Sequence, residues 1–178
     1  SMLLPGPYCT WQLASFGAQV IKIEPPSGDP VRQMNPAMFA MLNRGKHSVV
    51  LDFKQASDRQ AFLDMVAHAD IVLEGFRPGA LDRLGLSVDT LRAIRPQLVV
   101  GSISGFGWTG PYRDHPGHDI GFLSLTGYFA VPSQLDHQLH LPWLAQVLLC
   151  LVGAQAVRDL RLPYPPQSHR TAQSMRYH

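Results

Sequence analysis

The sequence predicts an α/β domain built on an open parallel sheet with helices on its faces. Short β-branched runs alternate with segments of helical period, the pattern left by parallel strands joined through helical crossovers. Two of those runs, within 70–76 and 97–105, are largely apolar, as strands covered on both faces require. The chain has 178 residues, enough for one domain with a real core, and 46% apolar against 16% charged residues is a globular composition.

The first expected element is a helix in PGPYCTWQLASFGA, starting after Pro7 and stopped by Gly17. QVIKIE, Gln19 to Glu24, reads as the first strand, with Val20, Ile21 and Ile23 as β-formers and Pro25-Pro26 ending it. HSVVLDF, His47 to Phe53, is the second. A helix follows in DRQAFLDMVAHA, with Ser57 as its expected cap, Gln60 at the capping-box position and Phe62, Met65 and Val66 on one face. DIVLEGF, Asp70 to Phe76, is the third strand. Ser87 caps VDTLRAIR, whose Leu91 and Ile94 are expected to face the sheet, and Pro96 lies beyond its end. QLVVGSISG, Gln97 to Gly105, is the fourth strand, and a last helix is expected to start near Asp119.

The chain opens on a helix where α/β domains usually open on a strand. After Leu160 it runs into RLPYPPQSHRTAQSMRYH, with three prolines and no apolar period. Residues 1–160 therefore read as one domain, incomplete at its start, and 161–178 as an irregular tail.

Several function classes are disfavoured at this level. Fifteen Lys and Arg against thirteen Asp and Glu give a net charge of +2, and the basic residues are scattered, so nucleic acid is not an expected partner. GFGWTG, Gly105 to Gly110, has the bare GxGxxG spacing but runs into Pro111 rather than opening a helix, and no GxxxxGK[ST] loop is present, which leaves NAD and ATP without direct support. Cys9 and Cys150 match no disulfide or metal framework and read as small buried hydrophobes, and no metal is expected. The opening SMLLPGPYCTW lacks a basic leader, and LPWLAQVLLCLVGAQAV is shorter than a bilayer span and carries two glutamines. The expectation is a soluble cytoplasmic protein with no membrane partner, or a mitochondrial or peroxisomal one in a eukaryote.

In open parallel sheets, ligands bind beyond the carboxyl ends of the strands. EGFRPGAL, after the third strand, offers Glu74, Gly75, Phe76 and Arg77 there; SGFGWTGPY, after the fourth, is a glycine-rich turn carrying Phe106, Trp108 and Tyr112. NRGKHS holds Asn43, Arg44 and Lys46 just before the second strand, at the opposite end of the sheet unless the loop folds over. Glycines permit close backbone approach, aromatics cover a base and cations pair with phosphates, so the set suits a nucleotide-like ligand. The same composition also closes ordinary βα turns. In HPGHDIGFLSLTGYF, His118 stands beside Asp119 where a helix begins; it is a candidate base, or a residue that closes a turn with a hydrogen bond.

The segments LLPGPYCTWQLASFGAQVIKIEPPSGDP, LNRGKHSVVLDFK and ADIVLEGFRPGALDRLGLSVDTLRAIRPQLVVGSISGFGWTGPYRDHPGHDIGFLSLTG resemble, in order and spacing, the N-terminal part of the family III CoA-transferases. That superfamily also holds α-methylacyl-CoA racemases and L-carnitine and bile-acid CoA-transferases. The resemblance runs from about Leu3 to Gly127 and implies a Rossmann-like sheet. It implies acyl-CoA as partner, with the CoA thioester a substrate rather than a tightly bound cofactor, and a homodimer of interlocked chains. PGHDIGFLSLTG is similar to the racemase pattern, which implies that His118 is a catalytic base taking the α-proton of a thioester while hydrogen-bond donors hold the enolate oxygen. Asn43, Arg44, Lys46, Gly75, Phe76 and Arg77 fall where the family contacts coenzyme A.

The expected activity is thus racemase-like proton transfer on a CoA thioester. The alternatives are transfer of CoA between carboxylic acids, or a truncated paralogue without turnover. Two departures bear on this. Pro25 stands where the family has a basic residue. The family's Asp-Gly-Gly segment would fall within Leu141 to Gln155, which has no Asp or Glu; Leu148 or Leu149 occupies the place, and Asp136 and Asp159 lack the right neighbours. With family members considerably longer, the chain reads as an N-terminal portion.

Overall fold

The computed structural model describes residues 2–126. The reading of 161–178 as a tail, the segment Leu141 to Gln155, Asp136, Asp159 and Cys150 all lie outside them. Helix α1 (Pro5–Ser15) is followed by β1 (Ile21–Glu24), α2 (Val31–Met34), α3 (Pro36–Asn43) and β2 (His47–Val50). Then come α4 (Ala56–Val66), β3 (Ile71–Glu74), α5 (Ala80–Arg83), α6 (Val88–Ile94), β4 (Val99–Ser102) and α7 (Asp119–Leu125).

The α/β class holds, with parallel strands and flanking helices. Among the described residues the strands form two ladders rather than one sheet: β1 with β2 and β3 with β4, both parallel. The registers align Ile21 with His47 and Ile71 with Val99. Each strand is four residues long, shorter than its β-forming run, and single backbone bonds continue the ladders past the strand ends, His47 N–H to Val20 O and Ile103 N–H to Glu74 O, both at 2.9 Å.

The core sits under the second ladder. Val66 of α4, Leu91 of α6 and Leu98 are buried together, with Phe62, Leu63, Val72 and Val100 packed around them. Ser87 caps α6 as its sequence predicts, accepting a bond from the Thr90 amide at 3.1 Å. Leu91 is fully buried, while Ile94, the last residue of α6, is 39% exposed and lies outside the buried cluster.

Two helix starts differ from expectation. Helix α1 begins at Pro5, because a proline in the first turn has no amide to satisfy and the Leu4 carbonyl already accepts from Tyr8 at 2.9 Å. Ser57 lies inside α4, whose cap is Gln55. The Asp58 carboxylate accepts from the Asp52 amide at 2.8 Å and Gln55 N–H donates to Asp52 O, so a local turn begins the helix before Ser57 is reached. Gln60 accordingly bonds Asp64 at 2.9 Å instead of closing a capping box. Cys9 is buried as expected, and burial pushes its thiol pKa up.

Candidate functional site

Beyond the carboxyl ends of β3 and β4 lies a cavity of about 210 Å³. One wall is Gly75 to Pro78, the loop leaving β3; a second is Ile103 to Gly105, leaving β4. The third is Arg113 and His115 to His118, which lead into α7. The chemistry of the site follows from how these three segments turn.

Glu74, at the end of β3, is buried and accepts from its own loop, the Phe76 amide, at 2.7 Å. That bond folds the chain back sharply, and Gly79, at φ 75, completes the turn into α5 in a conformation that favours glycine. Arg77 is left on the cavity wall, exposed, its side chain without a hydrogen bond or ion pair among the described residues.

After β4 the chain makes two left-handed glycine turns, at Gly107 (φ 81) and Gly110 (φ 92). Phe106 packs on Phe122 of α7 with ring centroids 5.1 Å apart and on Tyr112 at 5.7 Å; Tyr112 in turn meets His115 edge-on at 5.4 Å. Phe106 and Tyr112 are therefore occupied in holding the third wall. Trp108, 41% exposed, is the aromatic of this turn without a ring partner among the described residues.

His118 is the N-cap of α7 in extended conformation, and its side chain makes no capping bond, so the imidazole is not consumed by closing the turn. Of the lining residues, Arg77, Arg113, His115 and His118 carry or can carry positive charge, and none is a carboxylate. Arg113 has a long 3.9 Å approach to Asp114, too loose to neutralise it.

Gly75, Phe76, Arg77 and His118 are thus brought to one cavity. Asn43, Arg44 and Lys46 are not among its lining residues: they connect α3 to the amino end of β2, as the sequence order implies. Lys46 Nζ donates to Pro7 O at 2.7 Å, Thr10 Oγ1 at 2.8 Å and Asn43 Oδ1 at 3.2 Å. Burial lowers its pKa to about 8, with the nearby Lys22 charge adding to the effect. Asn43 also donates to Phe39 O at 3.0 Å, and Arg44 is exposed.

After β1, beyond Pro25, the guanidinium of Arg32 is committed within the fold. Arg32 forks onto Glu24 with two 2.8 Å bonds and lies 4.0 Å from the Phe39 ring centroid. Arg113, His115 and Gly117 were not singled out from sequence. The readable signal was the run YRDHPGH, three basic residues between a glycine turn and a helix start.

A model of CoA-transferase family III matches residues 1–158. The chain belongs to that family. An acetyl-CoA:oxalate CoA-transferase from Acetobacter aceti is 44% identical over 132 residues, covering 70% of this chain and 34% of its own length. A succinyl-CoA–D-citramalate CoA-transferase from Chloroflexus aurantiacus is 43% identical over 139 residues, covering 70% of this chain and 35% of its own. Among solved structures, a CAIB/BAIF family protein from Brucella suis aligns over 89% of this chain and 46% of its own, at 33% identity and a TM-score of 0.77. A hypothetical protein from Mycobacterium tuberculosis aligns over 89% and 45%, at 32% identity and a TM-score of 0.81.

The chain therefore spans about a third of the length of these curated family members and somewhat under half of the solved structures. The family's Rossmann-like α/β fold accords with these alignments. The names these family members carry are CoA-transferases, which fits the transferase alternative better than the racemase-like reading. Among the described residues no helix is long and apolar enough to cross a membrane, and no group of metal-binding side chains gathers.

Proposed function

We propose that the cavity holds the thioester end of an acyl-CoA beside a dicarboxylate acceptor, and that the whole protein moves CoA between carboxylic acids. The observation that carries this reading is the lining itself: two arginines, two histidines and no carboxylate at the carboxyl ends of two parallel strands. A cavity of about 210 Å³ is smaller than the ~300–1,000 Å³ of pockets that enclose a drug-sized ligand, so it suits one end of coenzyme A with a small acid.

Bringing an anionic acceptor up to an acyl-CoA costs charge repulsion. Arg77 and Arg113 offset it, and a charge-assisted bond to a carboxylate or phosphate is about twice as strong as a neutral one. Oxalate, citramalate, mesaconate and glutarate in the names of this chain's relatives are all dicarboxylates, and a second carboxylate is what four convergent basic groups would select. Gly75 and Phe76 give the ligand a backbone surface and an apolar contact. His118 donates to the thioester carbonyl oxygen. Coenzyme A enters as substrate, and the partner is acyl-CoA.

One observation keeps a second reading: the His118 side chain makes no capping bond and has no hydrogen-bond partner among the described residues at the cavity wall, as suits a base for an α-proton. Two assays on the whole protein separate them. Label moving from succinyl-CoA to oxalate supports the transferase. Loss of the α-proton of a 2-methylacyl-CoA in heavy water, with no acceptor present, supports the racemase, and full exchange by His118→Ala would remove His118 as its base. We also propose a homodimer, supported by apolar side chains left in solvent, with Phe16 88% and Met34 75% exposed. A monomer in analytical ultercentrifugation at assay concentrations would contradict it.

A further inference from the structure

Gly105 and Gly117 close on one another around a single aromatic ring. A methyl group built on Gly117 would stand 2.3 Å from Phe122 Cζ and 2.7 Å from Cε1, with Phe106 Cε2 at 3.3 Å. On Gly105 it would stand 3.0 Å from the same Cζ, 3.3 Å from Cε1 and 3.4 Å from the Gly117 α-carbon. Neither glycine has a positive φ, so what each position excludes is volume rather than an unusual backbone angle. The contact at Gly117 falls more than an ångström inside ordinary carbon–carbon separation of about 3.5–4.0 Å.

These glycines belong to two different walls of the cavity. Gly105 follows β4, and Gly117 immediately precedes His118. Phe122 is fixed to the same helical turn, its amide donating to His118 O at 3.1 Å. Phe106 backs the ring at 5.1 Å and prevents it from swinging toward the glycine turn. The ring tip therefore sets how closely the start of α7 approaches the end of β4.

We propose that Gly117 and Phe122 form a positioning joint that holds the His118 imidazole at its distance from the β4 wall. Gly117 is a positioning residue, acting through Phe122 on His118. Any side chain at 117 pushes the ring out of its seat, and His118 moves with the helix turn that carries both. Only the binding arm of the test rests on the acyl-CoA reading; the joint itself stands on the packing.

The test is a double-mutant cycle on the full chain: Gly117→Ala, Phe122→Leu and the pair together, each checked for a cooperative melt. His118 ring resonances by NMR and coenzyme A affinity by calorimetry are read in all four proteins. Gly117→Ala is expected to move the His118 resonances and weaken coenzyme A about tenfold, and adding Phe122→Leu to return affinity to within about threefold of wild type, a coupling normal for residues in contact. Wild-type resonances and affinity in Gly117→Ala, or a folded double variant no nearer wild type than the single, overturn the joint. If Gly117→Ala does not fold, Gly105→Ala, with its milder contact, takes its place with the same outcomes. If the wild-type chain binds no coenzyme A, the functional reading fails and the His118 resonances alone decide the joint.

Discussion

Around β1 and β2, three cations are tied into the fold. Lys22 reaches Asp29 at 2.7 Å, Arg32 forks onto Glu24, and Lys46 sits in a cage of three oxygens. Ser48 adds a 2.7 Å bond from β2 to the same Glu24, so the carboxylate links strand, loop and helix. Around the ends of β3 and β4, Arg77 and His118 have no such bonds among the described residues, and Arg113 has only a loose one. Both regions look alike in sequence, each a strand followed by glycine, proline and a basic residue. The first commits these three cations to internal bonds, two of them to carboxylates; the second leaves its basic side chains facing a cavity.

The contrast can be broken most strongly at Glu24. The Arg32 guanidinium, with Ser48 and the Asp29 amide, holds its carboxyl down at about 2, against the cost of burial. A depressed carboxyl stabilises the fold above its ordinary pKa of 4.5, and that stability drains away as pH falls from about 4.5 through about 2. Glu24→Gln should cost about 2–3 kcal/mol in urea unfolding at pH 7 and flatten the acid side of the stability curve, because a buried charged bond is lost. Coenzyme A affinity of the folded variant should not change. A weaker ligand affinity there would mean the first region is part of the site.

Lys46→Met is expected to lose about 1 kcal/mol, the net worth of an ordinary hydrogen bond after the ammonium's desolvation is relieved. Ser87→Ala, which removes the α6 cap, should cost a similar ~1 kcal/mol, since a lost N-cap bond typically does, and should leave the cavity unaltered. Chemical denaturation of each reads the size; unchanged His118 resonances check that neither reaches the site.

Much of the second region was legible because its signals are local. Ser87, three residues before the amide it caps, and Leu91, at the centre of a short stripe, needed only helical spacing. EGFRPG and SGFGWTG pointed to the end of the sheet where the cavity lies because each directly follows a strand. What the sequence did not show are contacts that spacing does not encode. Lys46, which the family resemblance places among the coenzyme A contacts, has two of its three hydrogen-bond partners 36 and 39 residues away on α1, which NRGKHS does not reveal. Ser57 lost its capping role to an Asp52–Asp58 bond that begins the turn early. Arg113 and His115 join the cavity only because the Phe106, Tyr112 and Phe122 rings fold that loop back over β4.

The most direct measurement of the division between the two regions is a calorimetric titration of coenzyme A into wild type, Arg77→Ala and Lys46→Met. Both positions are basic, and the family resemblance implies a coenzyme A contact for both. Arg77→Ala is expected to weaken binding by about 1–3 kcal/mol, as loss of a charge-assisted bond does, while Lys46→Met binds as wild type. Equal losses at both positions, or a loss at Lys46 alone, would contradict the account.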